Sequence, residues 1–79
     1  MNETVREKLA QAVGEFVSAN RRIARLTQTE LATKIEVTRQ TVAMIEAGRQ
    51  LPSFAVLYRL AEVFNVEPSG LLPTRKEIR

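Results

Sequence analysis

Residues 27–48 of this chain, TQTELATKIEVTRQTVAMIEAG, decide the fold, because they predict two short helices joined by a tight turn. Thr27 and Glu30 have the spacing of a capping box, in which each side chain bonds the backbone N–H of the other residue. The inner face of the first helix is formed by apolar residues at helical spacing, namely Leu31, Ala32 and Ile35. The pattern breaks at residues 36–38, where we expect the turn.

The second helix of this segment begins after Thr38, whose hydroxyl can cap it. Val42 and Ile45 form its buried side, and Gly48 can adopt the left-handed conformation that closes it. The other face carries a set of residues that is unusual for a purely solvated surface: Arg39, Gln40, Ala43 and Met44. Two helices at a steep angle, the second with base-reading side chains at its N-terminus, form a unit that enters the major groove of DNA.

The segment resembles the helix-turn-helix of phage-repressor type, found in the Cro or XRE class of small bacterial and phage regulators. The residues that carry the resemblance are Leu26-Thr27-Gln28, Glu30-Leu31-Ala32, Val37-Thr38-Arg39-Gln40, Ile45-Glu46, Gly48, Pro52 and Leu60-Ala61. The matching region extends from about Val17 to Leu72, and the flanking helices match as well as the motif itself. The resemblance implies an all-α, compact, lambda-repressor-like DNA-binding domain of five helices.

Glu36 departs from the family pattern, which usually has glycine at this position. Glycine suits a left-handed turn, whereas a side chain there costs about 1 kcal/mol. We therefore expect a turn of a different shape, and with it a change in the aim of the second motif helix.

The remaining sequence predicts one domain over residues 1–79, with the motif at 28–47. A first helix from about Glu3 to Ala24 has Asn2 as a candidate cap, and Gly14 inside it weakens it slightly relative to alanine. One face of this helix is formed, at helical spacing, by Val5, Leu9, Ala12, Val13, Phe16, Val17 and Asn20.

After the motif, Ser53 can cap a fourth helix from Phe54 to Phe64. The core stripe of that helix is Leu57, Leu60, Ala61 and Phe64. Pro68 suits the first turn of a short fifth helix that carries Leu71 and Leu72. Residues 74–79 are expected to be frayed, and no segment alternates as a strand does.

Composition narrows the function classes. Apolar residues make up 44% and charged residues 27% of the 79 residues, as in ordinary globular domains. The chain has no histidine and no cysteine, so most hydrolytic and metal-assisted chemistry lacks its usual groups. No apolar run could span a membrane, and the first ten residues do not resemble a secretory signal. We expect a cytoplasmic protein that is not an enzyme and binds no cofactor or metal.

The net charge of +3 and the pI near 10.0 favour a polyanionic partner. The candidate base-reading residues are those of the exposed face of the second motif helix: Arg39, Gln40, Thr41, Ala43 and Met44. Arginine can pair with O6 and N7 of guanine, and glutamine with N6 and N7 of adenine. The alternative is that Arg39 and Gln40 are solvated residues at a helix start, and that Met44 is a peripheral core residue.

The candidate phosphate ligands are Thr27, Gln28, Thr38, Arg22, Arg25 and Arg49. In the family, the residue at the position of Gln28 contacts the DNA backbone, and a helix N-terminus attracts phosphate by itself. Thr27 either shares in that contact or only caps its helix. The resemblance also implies a structural ion pair between Arg21 and Glu46, which would tie the first helix to the third.

A second apolar stripe on the fourth helix predicts a dimer interface formed by Phe54, Val56, Tyr58 and Val63. Val56 and Val63 are expected to lie off the core stripe. We therefore expect a homodimeric regulator, a repressor, which binds double-stranded DNA at a palindromic operator without a small-molecule ligand. The alternative is a protein-interaction module of the same fold, resembling coactivators or antitoxins, with a protein partner. The sequence leaves open the operator and its genes, repression or activation, and a phage, a restriction or a toxin–antitoxin role.

Overall fold

The computed structural model describes residues 3–67, which form four helices and contain no strand. The helices are α1 (Glu3–Ile23), α2 (Gln28–Lys34), α3 (Arg39–Glu46) and α4 (Phe54–Phe64). Residues 3–67 thus hold four helices and not five, and they are the four that the sequence predicts for this range, since the predicted fifth helix begins at Pro68. The helix predicted from Pro68, the tail at 74–79 and the candidate cap Asn2 lie outside the described residues.

Among residues 3–67, none of the helices combines the length and the apolar character that a membrane span requires.

Three helices begin at the predicted caps, because each cap side chain accepts a hydrogen bond from a backbone N–H of the first turn. Thr27 and Glu30 form both bonds of the capping box, at 3.0 and 2.9 Å. Thr38 Oγ1 accepts from the N–H of Thr41 at 3.1 Å. At the start of α4, Ser53 Oγ accepts from the N–H of Val56 at 3.2 Å. The helix starts of the motif thus follow from local sequence.

Each of the four helices is followed by a residue in the left-handed conformation, and only one of these residues is glycine. They are Arg25 (φ 59°), Glu36 (φ 59°), Gly48 (φ 75°) and Asn65 (φ 55°). The N–H groups of each such residue and of the next one bond back to carbonyls of the last helical turn, as in a Schellman motif. Glu36 thus adopts the conformation for which the family uses glycine, at a cost of about 1 kcal/mol. The expectation of a differently shaped turn at Glu36 is wrong.

All four helices contribute to one apolar core. Its residues are Val13, Val17, Leu31, Ala32, Ile35, Val42, Ile45, Val56, Leu57, Leu60 and Ala61. The expectation that Val56 lies off the core stripe is wrong, since it is only 9% exposed and belongs to this cluster. Val56 precedes Leu60 by one helical turn, so the apolar arc of α4 is wider than predicted. Val63 is half-buried and packs against the core.

Gly14 has a packing role that the sequence pattern did not indicate. It is buried in α1 where that helix crosses the end of α3. A Cβ atom added at Gly14 would lie 2.3 Å from the carbonyl oxygen of Ile45 and 2.9 Å from that of Glu46. Only the absence of a side chain allows the two backbones to approach so closely.

A polar network joins the first three helices. Arg21 Nε lies 2.6 Å from Glu46 Oε2, and Arg21 Nη2 donates to Glu46 Oε1 at 3.1 Å. Arg21 Nη1 donates to the carbonyl of Leu26 at 2.8 Å, and Gln28 Nε2 donates to Glu46 Oε1 at 3.1 Å. The side chains of Arg21 and Glu46 are 13% and 8% exposed, so the pair is largely removed from water. The hydrogen bond to Glu46 raises the pKa of Arg21.

The Gly14→Ala variant tests the packing of α1 on α3. Helix propensity alone would stabilise this variant by about 1 kcal/mol. We expect the opposite, a loss of about 1–3 kcal/mol in the free energy of unfolding, because the new methyl group collides with fixed carbonyls. Urea unfolding followed by circular dichroism measures it, with Glu15→Ala on the exposed side of α1 as the control. A Gly14→Ala variant more stable than the parent would contradict the crossing geometry.

Arg21→Ala and Glu46→Ala test the polar network. Each leaves the other charge largely buried without its partner, so we expect the free energy of unfolding to fall by about 2–4 kcal/mol. Arg22→Ala, which removes an exposed arginine from the same turn of α1, is the matched control and should melt like the parent. If Arg21→Ala also melted like the parent but lost DNA binding, Arg21 would be a DNA ligand and not a structural residue.

Candidate nucleic-acid interface

The outward face of α3 carries the five residues predicted to contact bases. Arg39 and Gln40 are exposed in the first turn, while Val42 and Ile45 are each 1% exposed and anchor the opposite side in the core. The other three predicted residues are half-buried: Thr41, Ala43 and Met44. The long polar side chains of Arg39 and Gln40 are thus exposed at the start of the helix. Thr41 and the apolar Ala43 and Met44 follow them.

Ala47 extends this face and was not among the predicted residues. It is exposed, directly follows α3 and lies one helical turn beyond Ala43. The spacing of four residues was the available signal, but alanine carries no chemistry of its own to draw attention to it. Its small size keeps this end of the face flat.

Thr38 and Thr41 are bonded to each other as well as to the backbone. Their hydroxyl oxygens are 2.9 Å apart, in addition to the cap bond from the N–H of Thr41. One hydroxyl hydrogen of the pair is used in this contact, and the other can be donated to an acceptor outside the protein. The start of α3 therefore offers one hydroxyl donor.

At the start of α2, the predicted phosphate ligands Thr27 and Gln28 both form hydrogen bonds within the protein. One hydrogen of the Gln28 amide goes to Glu46, which leaves its second N–H for another acceptor. The oxygen of Thr27 accepts from the backbone N–H of Glu30. The backbone N–H of Thr27 donates to the Glu30 carboxylate, which lowers the pKa of Glu30.

Four arginines around the motif are exposed and form no ion pair with any of residues 3–67: Arg22, Arg25, Arg39 and Arg49. Arg25 is the left-handed residue that ends α1. Arg49 follows Gly48, and its backbone N–H bonds to the carbonyl of Met44 at 2.9 Å. The backbones from which these two side chains extend are therefore held in place.

The acidic residues of the same segment are, by contrast, all engaged. Glu30 belongs to the capping box, Glu46 is paired with Arg21, and Glu36 lies 3.5 Å from Arg59 of α4. Glu30 keeps its charge, but the four arginines left unpaired within residues 3–67 outnumber it and give the residues around the motif an attraction for polyanions.

Phe54 and Tyr58 are the predicted dimer residues that the structure leaves open to a partner. They are 81% and 59% exposed and lie one helical turn apart on α4. Beside Phe54 is an apolar groove of about 230 Å³ between α1, α4 and the loop before α4. Phe54 lines it together with Leu9, Val13, Leu51, Pro52 and Leu57. Val56 and Val63 contribute to the core instead.

Within residues 3–67, no three histidine, cysteine, aspartate or glutamate side chains converge in a way that would hold a metal ion.

Comparison with known proteins identifies relatives of this arrangement. An uncharacterised HTH-type transcriptional regulator of Archaeoglobus fulgidus is 45% identical over 46 residues, which are 58% of this chain and 66% of that protein. Another, from Methanothermobacter thermautotrophicus, is 39% identical over 52 residues, or 66% of this chain and 75% of the relative. The chain thus spans about two thirds to three quarters of the length of these relatives.

Among solved structures, the restriction-modification controller protein C.AhdI from Aeromonas hydrophila superposes with a TM-score of 0.73. The two share 26% sequence identity, over 78% of this chain and 94% of the controller. The family profile described as Helix-turn-helix matches residues 19–71, which include α2, α3 and α4. The chain therefore belongs to the XRE-type helix-turn-helix family of DNA-binding transcriptional regulators.

Proposed function

We propose that this protein is a cytoplasmic, sequence-specific repressor that binds a palindromic operator as a homodimer. The observation that carries the proposal is the charge and shape of the motif side. Two long polar side chains project from the first turn of α3, four arginines around the motif have no acidic partner in the described chain, and two of the three acids of the segment, Glu36 and Glu46, are paired with arginines.

The mechanism is occupancy of the operator. Phosphate contacts orient the domain on the duplex and carry no sequence information, whereas the outward face of α3 discriminates bases. Arg39 is suited to O6 and N7 of guanine, and Gln40 to N6 and N7 of adenine. Ala43 and Met44 can pack against thymine methyl groups. Arg22, Arg25 and Arg49, with the donors left at Gln28 and the Thr38–Thr41 pair, are suited to phosphates.

Homodimer formation is supported by the aromatic surface of α4. The exposed fractions of Phe54 and Tyr58 correspond to about 210–350 Å² of aromatic surface, from a full area of about 150–250 Å² for each side chain. Each molecule also carries the apolar groove beside Phe54, so a two-fold axis would place the Phe54 ring of each copy in the groove of the other. A standard interface needs about 800 Å² per partner. Self-association in free solution is therefore weak, and adjacent half-sites on DNA complete the dimer.

A regulator that dimerises weakly responds steeply to its own concentration, because both the dimer and the occupied operator depend on it. The similarity to a restriction-modification controller is consistent with such a role.

The salt dependence of binding tests the groove-docking proposal. Three to four neutralised phosphates for each protomer should give a slope of log K against log salt of about −5 to −7 for the dimer. Fluorescence anisotropy with a labelled duplex, titrated at several potassium chloride concentrations, measures this slope. A slope near zero with intact binding would rule out docking on the phosphate backbone.

Substitutions on α3 test direct base recognition. Arg39→Ala and Gln40→Ala should leave stability nearly unchanged but lower affinity for the preferred duplex by about 1–3 kcal/mol, concentrated at one or two positions in each half-site. Arg49→Ala should instead weaken all duplexes alike and flatten the salt slope by about one unit per protomer. The measurement is a binding series over single-base variants of a duplex selected from a random pool. An unchanged base preference in the two α3 variants would show that these residues do not recognise bases.

Phe54→Ser tests the dimer surface. Sedimentation equilibrium of the parent without DNA should show a concentration-dependent monomer–dimer equilibrium, which Phe54→Ser abolishes while the monomer stays folded. Ile23→Ser is the matched control, because Ile23 is 79% exposed at the end of α1, away from the groove. If both variants associated like the parent, the homodimer would use another surface.

A further inference from the structure

Arg59 of α4 connects that helix to the turn between α2 and α3. Its Nη1 donates to the carbonyl oxygen of Ile35 at 3.3 Å, and its Nε lies 3.5 Å from Glu36 Oε2. Ile35 is completely buried at the end of α2, whereas Glu36 is exposed in the left-handed conformation. One guanidinium group therefore holds both the C-cap residue of α2 and the left-handed residue that follows it.

Because of its position, this contact affects the shape of the turn more than an ordinary surface ion pair would. By itself, a pair whose side chains are 39% and 74% exposed contributes little to stability. Here, however, the same guanidinium bonds a terminal helix carbonyl, where a cation is favoured by the helix dipole. It also restrains Glu36, whose side chain makes the left-handed conformation unfavourable. The direction in which the chain leaves Glu36 sets the direction of α3.

The charge of Glu36 adds a second reason. Glu36 stands two residues before Thr38, the cap of α3, and is the only acid of the turn. A free carboxylate at this point would repel the phosphates that approach the start of α3. Arg59 draws the carboxylate toward α4 and compensates its charge.

We propose that Arg59 is a positioning residue for DNA recognition, which holds the Glu36 turn in the shape that aims α3 and compensates its carboxylate. The inference rests on the proposed DNA-binding function. Arg59 acts through Glu36 and does not itself contact DNA. Lysine can replace it only in part, because it keeps the charge but carries all its donors on one nitrogen, whereas Arg59 reaches Ile35 through Nη1 and Glu36 through Nε. With glycine at position 36, Arg59 would be dispensable, because glycine removes both the strain of the left-handed conformation and the carboxylate charge.

The test is a double-mutant cycle with the parent, Arg59→Ala, Glu36→Gly and the double variant, on the full chain. Affinity is measured by anisotropy on the duplex selected from a random pool, at a temperature where circular dichroism shows all four proteins folded. We expect Arg59→Ala to weaken binding about 3- to 10-fold in the parent background and less than about twofold in the Glu36→Gly background. Arg59→Lys keeps the charge but not the two separate bonds, so its affinity should fall between those of the parent and of Arg59→Ala. The salt slope should change by much less than one unit per protomer.

Two results would overturn the inference. An equal loss of affinity in both backgrounds, with a salt slope reduced by about one unit per protomer, would make Arg59 a direct phosphate ligand. No loss in either background would make the contact incidental. Failure of the proposed function is distinct, because then the parent itself would bind neither the selected duplex nor a random one.

Discussion

The carboxylate of Glu46 is the point on which the arrangement of the first three helices depends. It accepts hydrogen bonds from two nitrogens of Arg21 and one of Gln28. Arg21 and Gln28 belong to α1 and α2, so the end of α3 is held by both of the preceding helices. The carbonyl groups of the same stretch, at Ile45 and Glu46, are the surface on which Gly14 packs. Charge and close packing thus fix one end of α3 and leave its other end, with Arg39 and Gln40, directed outward.

The candidate interface depends on which charged side chains are bonded within the fold and which remain exposed without a partner. The acids around the motif are used for capping and for pairing, at Glu30, Glu36 and Glu46. These commitments leave several arginines without a partner in the described chain. The modest net charge of +3 therefore understates the positive charge on this side of the molecule. A partner with regularly spaced negative charges is attracted to this side by charges that the fold itself does not use.

The helix ends show a compromise between local strain and side-chain function. Arg25 and Glu36 adopt left-handed conformations for which glycine would be cheaper. Both positions carry a charged side chain, and Glu36 contacts Arg59. The chain thus accepts about 1 kcal/mol of strain at each position where a side chain replaces glycine. The core, to which all four helices contribute, has to offset that cost.

The local parts of the molecule could be predicted from the sequence by itself. The caps at Thr27, Thr38 and Ser53 and the extent of α4 are as predicted, because capping and helical periodicity depend on residues a few positions apart. The resemblance supplied the family, and with it the expectation that Arg21 and Glu46 pair across 25 residues. For the same local reason, the five residues chosen on the outward face of α3 were recognisable by spacing.

Features that depend on neighbours distant in the chain became visible in the folded arrangement of the helices. Glycine is needed at position 14 because the backbone of α1 crosses α3 there. Val56 is buried because the other helices cover a wide arc of α4. The link from Arg59 to Ile35 and Glu36 joins residues more than 20 positions apart. A sequence pattern records the chemistry of each residue and its near neighbours along the chain. Which surfaces meet, and therefore which side chains stay free for a partner, follows from packing in three dimensions.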